Sequence, residues 1–122
     1  PVLVIEDEAA VMSFVTAALE RNGYQVVGVS SGAAALPLLA EGKYLGVISD
    51  MRTPGGVDGA DVHAWLRAHR PELAGRLIFI TGDIVNEDTA RTLRETGAPY
   101  VEKPFRVQQF LAVVDQVFGA EP

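Results

Sequence analysis

Short apolar runs alternate along the chain with longer stretches in which apolar residues return every three or four positions. Val2-Leu3-Val4-Ile5 is a continuous apolar run, the pattern of a strand covered on both faces, and it ends in Glu6-Asp7-Glu8. Val11, Phe14, Val15, Ala18 and Leu19 then recur at helical spacing up to Asn22-Gly23, a helix stop. Tyr24 to Val29 reads as a second strand, and Ser30-Ser31-Gly32 opens a second helix through about Ala40. Pro37 lies inside that helix and is expected to kink it or shorten it by a turn. Gly46 to Ser49 forms strand three. Asp61 to about Arg70 forms helix three, with Val62, Trp65, Leu66 and His69 on one side. Leu77 to Thr81 is strand four. The fourth helix, near Glu87 to Thr96, has Ala90 and Leu93 as almost its only apolar anchors. Pro99 to Glu102 is a short fifth strand. The fifth helix carries Val107, Phe110, Leu111, Val114, Val117 and Phe118 at clean helical spacing.

Strands and helices therefore alternate five times, which predicts an α/β fold with a parallel sheet and helices on both faces. Right-handed crossovers leave few topologies open. The 122 residues suit one domain, residues 1–122, with no repeats or linkers. A chain that starts at Pro1 and enters a strand at Val2 has either lost an initiator Met or is a piece of a longer protein.

Composition narrows the chemistry. A formal net charge of −6 argues against a direct grip on nucleic acid. The absence of cysteine removes disulfides and thiolate metal sites. No apolar run approaches the ~18 residues of a membrane span, and no signal pattern precedes the first strand, so a soluble, cytoplasmic domain without membrane insertion is expected.

The carboxyl ends of parallel strands share one edge, where open α/β sheets bind ligands. Glu6 and Asp7 follow strand one, Asp50 follows strand three, Thr81 ends strand four and Lys103 lies just past strand five. Taken singly, each has a bland role: Asp50 could cap the Pro54-Gly55-Gly56 turn, Glu6-Asp7 could serve a helix N-terminus, and Lys103 could be a solvated charge. Together they place three carboxylates, a hydroxyl and an ammonium at one crevice. Carboxylates this close raise one another's pKa unless a cation neutralises them. With oxygen ligands only, a hard ion such as Mg²⁺ is the natural choice. Lys103 and Thr81 could then hold phosphoryl oxygens, with a carboxylate as nucleophile.

At this point the sequence resembles the receiver domain of two-component response regulators. The resemblance rests on Glu6-Asp7 after Val-Leu-Val-Ile, on Asp50 followed by Pro54-Gly55, on Thr81-Gly82, and on Tyr100-Val101-Glu102-Lys103-Pro104-Phe105. It implies a flavodoxin-like (βα)5 doubly wound fold of five parallel strands. Asp50 would be the phosphoacceptor, and Asp7 with Asp50 would bind Mg²⁺ directly. The backbone carbonyl of Arg52 would be a third ligand, and Glu6 would help through water. Thr81 and Lys103 would contact the phosphoryl group, Tyr100 would be the switch aromatic, and the Lys103-Pro104 bond would be cis. The implied partners are a histidine kinase or a histidine phosphotransfer domain, with a homodimer through the face of helix four, strand five and helix five as a further option. No independent turnover enzyme is implied, although a parent protein could be a hybrid histidine kinase. The longer Pro54-Gly55-Gly56-Val57-Asp58-Gly59 loop looks most like receivers attached to hybrid sensor histidine kinases.

Two other readings compete. Haloacid-dehalogenase-type phosphohydrolases use a similar set, but they need a second Asp two residues after the nucleophile, where this chain has Arg52. A pseudo-receiver would keep the fold as a pure interaction module. Elsewhere, His63 and His69 on helix three read as surface or boundary residues, and Trp65 as packing beside the core. Arg52 and Asp83, two residues beyond the acceptor and Thr81 respectively, are expected to lie over the mouth on opposite walls, where their charges could pair as a gate or stand as two separately solvated charges.

Overall fold

The computed structural model describes residues 1–119. Five parallel strands form one sheet in the order β2-β1-β3-β4-β5, a flavodoxin-like arrangement. They are β1 (Val2–Ile5), β2 (Val26–Val29), β3 (Gly46–Asp50), β4 (Leu77–Thr81) and β5 (Tyr100–Glu102). Six helices connect or flank them: α1 (Ala9–Arg21), α2 (Gly32–Glu41), α3 (Gly59–His69), α4 (Pro71–Ala74), α5 (Glu87–Thr96) and α6 (Val107–Phe118).

The continuous apolar runs become the central strands, because a side chain pointing to either face there meets a helix layer. Val2, Val4, Ile48, Ile78 and Ile80 face one way, onto Val15 and Leu19 of α1 and Phe110, Val114 and Phe118 of α6. Leu3, Ile5, Val47, Leu77 and Phe79 face the other way, onto Leu39 of α2, Val62 and Leu66 of α3 and Leu73 of α4. This two-sided core fixes the sheet, and with it the edge on which the strand-end residues gather. Gly46 illustrates the closeness of the packing, since a Cβ there would stand 2.2 Å from the Phe118 ring.

Several boundaries differ from the pattern read along the chain. Strand two starts at Val26, not Tyr24: Gly23 turns with φ 89°, and the Tyr24 N–H is still held by the Leu19 carbonyl at the end of α1. Pro37 does not shorten α2, which runs to Glu41. A proline there loses the bond its own N–H would make and crowds the carbonyl four residues back, yet the helix continues for another turn and Gly42 closes it by donating to Leu38. Helix three starts two residues early, at Gly59, because Asp58 and Asp61 form a reciprocal capping box. The short helix α4 was not expected; Pro71 at its first position suits a helix start. His63 is buried at 7% exposure, not at the surface, and burial pushes its imidazole pKa down, with the Arg67 charge adding to the effect. His69 is exposed and stacks on Trp65 at 4.5 Å, while Trp65 packs beside the core as read. No helix among the described residues is long and apolar enough to cross a membrane.

Candidate functional site

Asp50 is the last residue of β3, between β1 and β4, so its carboxylate stands at the middle of the sheet's carboxyl edge. It is 7% exposed. Its Oδ1 accepts the Arg52 N–H at 3.3 Å and its Oδ2 accepts from Lys103 Nζ at 3.1 Å. Glu6 and Asp7 arrive from the end of β1, and one carboxylate oxygen from each of Glu6, Asp7 and Asp50 lies within 4.8 Å of the others. Asp7 is exposed, whereas Glu6 is almost completely enclosed. Glu6 Oε2 accepts the Glu8 N–H at 3.0 Å, but Oε1 has no hydrogen bond. The Lys103 ammonium approaches that oxygen to 3.4 Å but outside hydrogen-bonding geometry.

This electrostatic arrangement is unbalanced. Burial raises the Glu6 pKa, and the Asp50 charge raises it further, against the Glu8 N–H and the Lys103 charge. Burial alone would lower the Lys103 pKa, but its hydrogen bonds to Glu8 and Asp50 outweigh that and hold it well above the usual lysine range. One ammonium thus serves three carboxylates, with Glu8 the closest at 2.9 Å. A buried carboxylate oxygen without a donor, beside two further acids, is a donor set suited to a hard divalent cation.

The Thr81 hydroxyl, at the end of β4, is buried and accepts the Asp83 N–H at 3.2 Å. Lys103 follows β5, its N–H donates to the Thr81 carbonyl, and the Lys103-Pro104 bond is cis. Tyr100, at the start of β5, is exposed at 42%. The loop after Asp50 is closed at its base, where the Gly59 N–H donates to the Met51 carbonyl at 2.8 Å. A Cβ on Gly59 would come within 2.9 Å of both the Asp50 carbonyl and the Phe79 ring, so only glycine fits there unaltered.

The expected pairing of Arg52 with Asp83 is not formed among the described residues. Asp83 Oδ1 instead accepts the N–H groups of Val85 and Asn86, at 3.1 and 3.2 Å, and so shapes the turn into α5. Such local capture of backbone donors is the usual habit of an aspartate in a turn. Glu8 stands outside the set of strand-end residues that the chain alone indicates. Its reach to Lys103, 95 positions away, depends on the fold alone.

The family model for the response regulator receiver domain matches residues 2–115, and the chain belongs to that family. Among curated relatives, the response regulator protein FleR of Pseudomonas aeruginosa is 33% identical over 113 residues, which is 93% of this chain but 23% of FleR. The receiver domain of a signal transduction histidine kinase from Syntrophus aciditrophicus superposes with a TM-score of 0.84 at 28% identity, covering 97% of this chain and 89% of that one. The receiver domain of a sensor histidine kinase from Pseudomonas aeruginosa, solved with a magnesium ion coordinated in its active-site cleft, gives 0.84 at 24% identity over 98% of this chain and 97% of that one. At that identity the last likeness speaks for the fold.

Proposed function

We propose that this receiver domain takes a phosphoryl group from a phosphohistidine onto a carboxylate oxygen of Asp50. A phosphorus–oxygen bond forms to Asp50 as the phosphorus–nitrogen bond to the donor imidazole breaks, and the imidazole keeps the electron pair. The observation that carries this reading is the Asp50 carboxylate at the centre of the edge, touched by Lys103 and flanked by Glu6 and Asp7. The carboxylates of Asp7 and Asp50 and the carbonyl of Arg52 would hold Mg²⁺, with Glu6 acting through water. When bound, the ion offsets negative charge shared by the acids and the incoming phosphoryl group. Lys103 supplies a fixed positive charge to a phosphoryl oxygen. The Thr81 hydroxyl, which accepts from Asp83 N–H in the present arrangement, turns to donate to another.

That turn of Thr81 would free space beneath Tyr100, so that the exposed ring moves inward and α5 resettles. Selection between two existing arrangements describes this economically. The donor would be a histidine kinase or a phosphotransfer domain, in keeping with the kinase-linked receivers this chain resembles, and the exchange would take place in the cytoplasm. Arg52, where a phosphohydrolase would carry its general acid, does not favour the hydrolase reading.

The test is incubation with a small acyl phosphate, with Mg²⁺ or with excess chelator, followed by intact-mass measurement. One phosphoryl adduct is expected with Mg²⁺ and none in chelator. Asp50→Ala should abolish it, and Asp7→Ala should mainly weaken metal binding. Labelling that runs normally in chelator would refute the metal's part. A folded chain that never labels would be an interaction module, and multiple turnover would make it a hydrolase.

A further inference from the structure

The loop that follows Asp50 carries a clasp that no part of the phosphoryl chemistry uses. Gly55 and Gly56 occupy left-handed backbone, φ 87° and 81°, and as glycines bring no side chain to anchor its tip. Yet the loop is closed from within. The Thr53 hydroxyl donates to the Val57 carbonyl, and the same oxygen accepts the N–H of Gly32 at 3.4 Å. Gly32 is the first residue of α2, where an N–H has no partner inside the helix. Val57 also leaves no room for a side chain at Gly32: a Cβ there would stand 2.6 Å from the Val57 carbonyl oxygen and 2.8 Å from Val57 Cγ1. The loop is therefore docked onto the start of α2 through Thr53 on one side and the bare Cα of Gly32 on the other.

Arg52 lies between two of these ties. Its own N–H is held by Asp50 Oδ1 at 3.3 Å, and the next residue is held by the clasp. Its carbonyl, the peptide oxygen between them, is bracketed by both ties. Magnesium accepts oxygen ligands only near about 2.1 Å and near octahedral angles, so a ligand on a loose loop binds it poorly. We infer that Thr53 is a positioning residue for the metal site, and that Gly32 of α2 holds the Arg52 carbonyl in place through it. The inference rests on the metal reading above and adds an arm, reaching α2, that the strand-end residues do not contain.

The test is calorimetric titration of Mg²⁺ into the 122-residue chain, without phosphodonor, alongside thermal melts. Thr53→Val keeps the shape and removes both hydrogen bonds, and it should weaken Mg²⁺ binding about three- to tenfold, the span a lost intramolecular hydrogen bond covers. Thr53→Ser keeps the hydroxyl and should restore affinity to within about twofold of the natural chain. Gly32→Ala leaves Thr53 untouched and presses on Val57 from the α2 side, so it should weaken Mg²⁺ in the same direction even if Thr53→Val fails to fold. A melting point that falls while Mg²⁺ affinity holds would make the clasp merely structural and overturn the inference. If the natural chain itself binds no Mg²⁺, the metal reading fails and takes this inference with it.

Discussion

Helices α5 and α6 cover opposite faces of the sheet and are held there by different means. In α6, Phe110, Val114 and Phe118 are fully or almost fully buried against the sheet and α1, while no charged residue supports its first or last turn. In α5 the only buried side chain is Thr89, and Leu93 is half-buried against the other core cluster. What α5 has is local support. Asn86 accepts the N–H groups of Asp88 and Thr89, acids occupy the first turn, Arg94 lies in the last, and Gly97 at φ 65° closes the end. α6 is kept chiefly by what it buries, with one end tie in which Gln109 Oε1 accepts the Arg106 N–H, whereas α5 is kept chiefly by its own ends. A helix of the second kind can shift as a unit without opening the core, because its stabilising interactions move with it.

The largest effect that tests this contrast is core truncation. Phe110→Ala should cost about 3–5 kcal/mol of unfolding free energy, whereas Leu93→Ala, at a half-covered site, should cost about 1–2 kcal/mol. Urea unfolding monitored by circular dichroism gives both numbers. Equal losses would mean that α5 is as much a part of the core as α6. Next in size is the response to phosphorylation. If α5 is the element that yields, amide exchange across residues 85–97 should change by an amount within the about 1–3 kcal/mol of a typical coupling, with little change across α6. A change confined to α2 and α3 would instead remove α5 from the switch.

The same contrast explains what could be read from the chain alone. The α6 stripe of Phe110, Val114 and Phe118 and the apolar runs of β1, β3 and β4 are legible because burial on a regular element imposes its period on the residues. The sparse anchors of α5 were legible for the same reason. Thr89 was not, since a polar side chain can be enclosed by a neighbouring loop without leaving a pattern. His63 shows a related blindness. It lies one position from Val62 and three from Leu66 on the buried side of α3, but its type argues for the surface. The strand-end acids, Thr81 and Lys103 were legible because topology alone brings strand ends together. Glu8 and the Thr53 clasp were not, because both depend on where a side chain reaches across a finished fold.

A smaller perturbation separates the ends of α5 from its face. Asn86→Ala removes the cap and should destabilise α5 by about 1 kcal/mol, seen as roughly fivefold faster exchange of its first-turn amides. Melting of the whole domain should barely move, because the buried layer is untouched. An equal acceleration in α6 would show that the two helices open together and that the contrast is only apparent.

The smallest effect concerns the ion pair inside α5. Arg91 Nη2 lies 2.5 Å from Asp88 Oδ1, three residues apart on the helix, with the side chains 56% and 81% exposed. Water screens a pair this open, so its coupling should be about 0.3–0.5 kcal/mol despite the close approach. The measurement is a double-mutant cycle of Asp88→Asn, Arg91→Gln and the combination, read from amide exchange within α5 rather than from global unfolding. Asp88 also sits in the positive first turn of the helix, and the cycle removes that separate contribution from the coupling term. Raising the ionic strength to 0.5 M should erase most of what remains, since the screening length then falls to roughly 4 Å. A coupling above about 1 kcal/mol that persists in salt would mean that α5 is clamped along its length, and a helix clamped along its length keeps its caps and its pair wherever it moves. The caps alone would then no longer account for why it holds together while resting so lightly on the core.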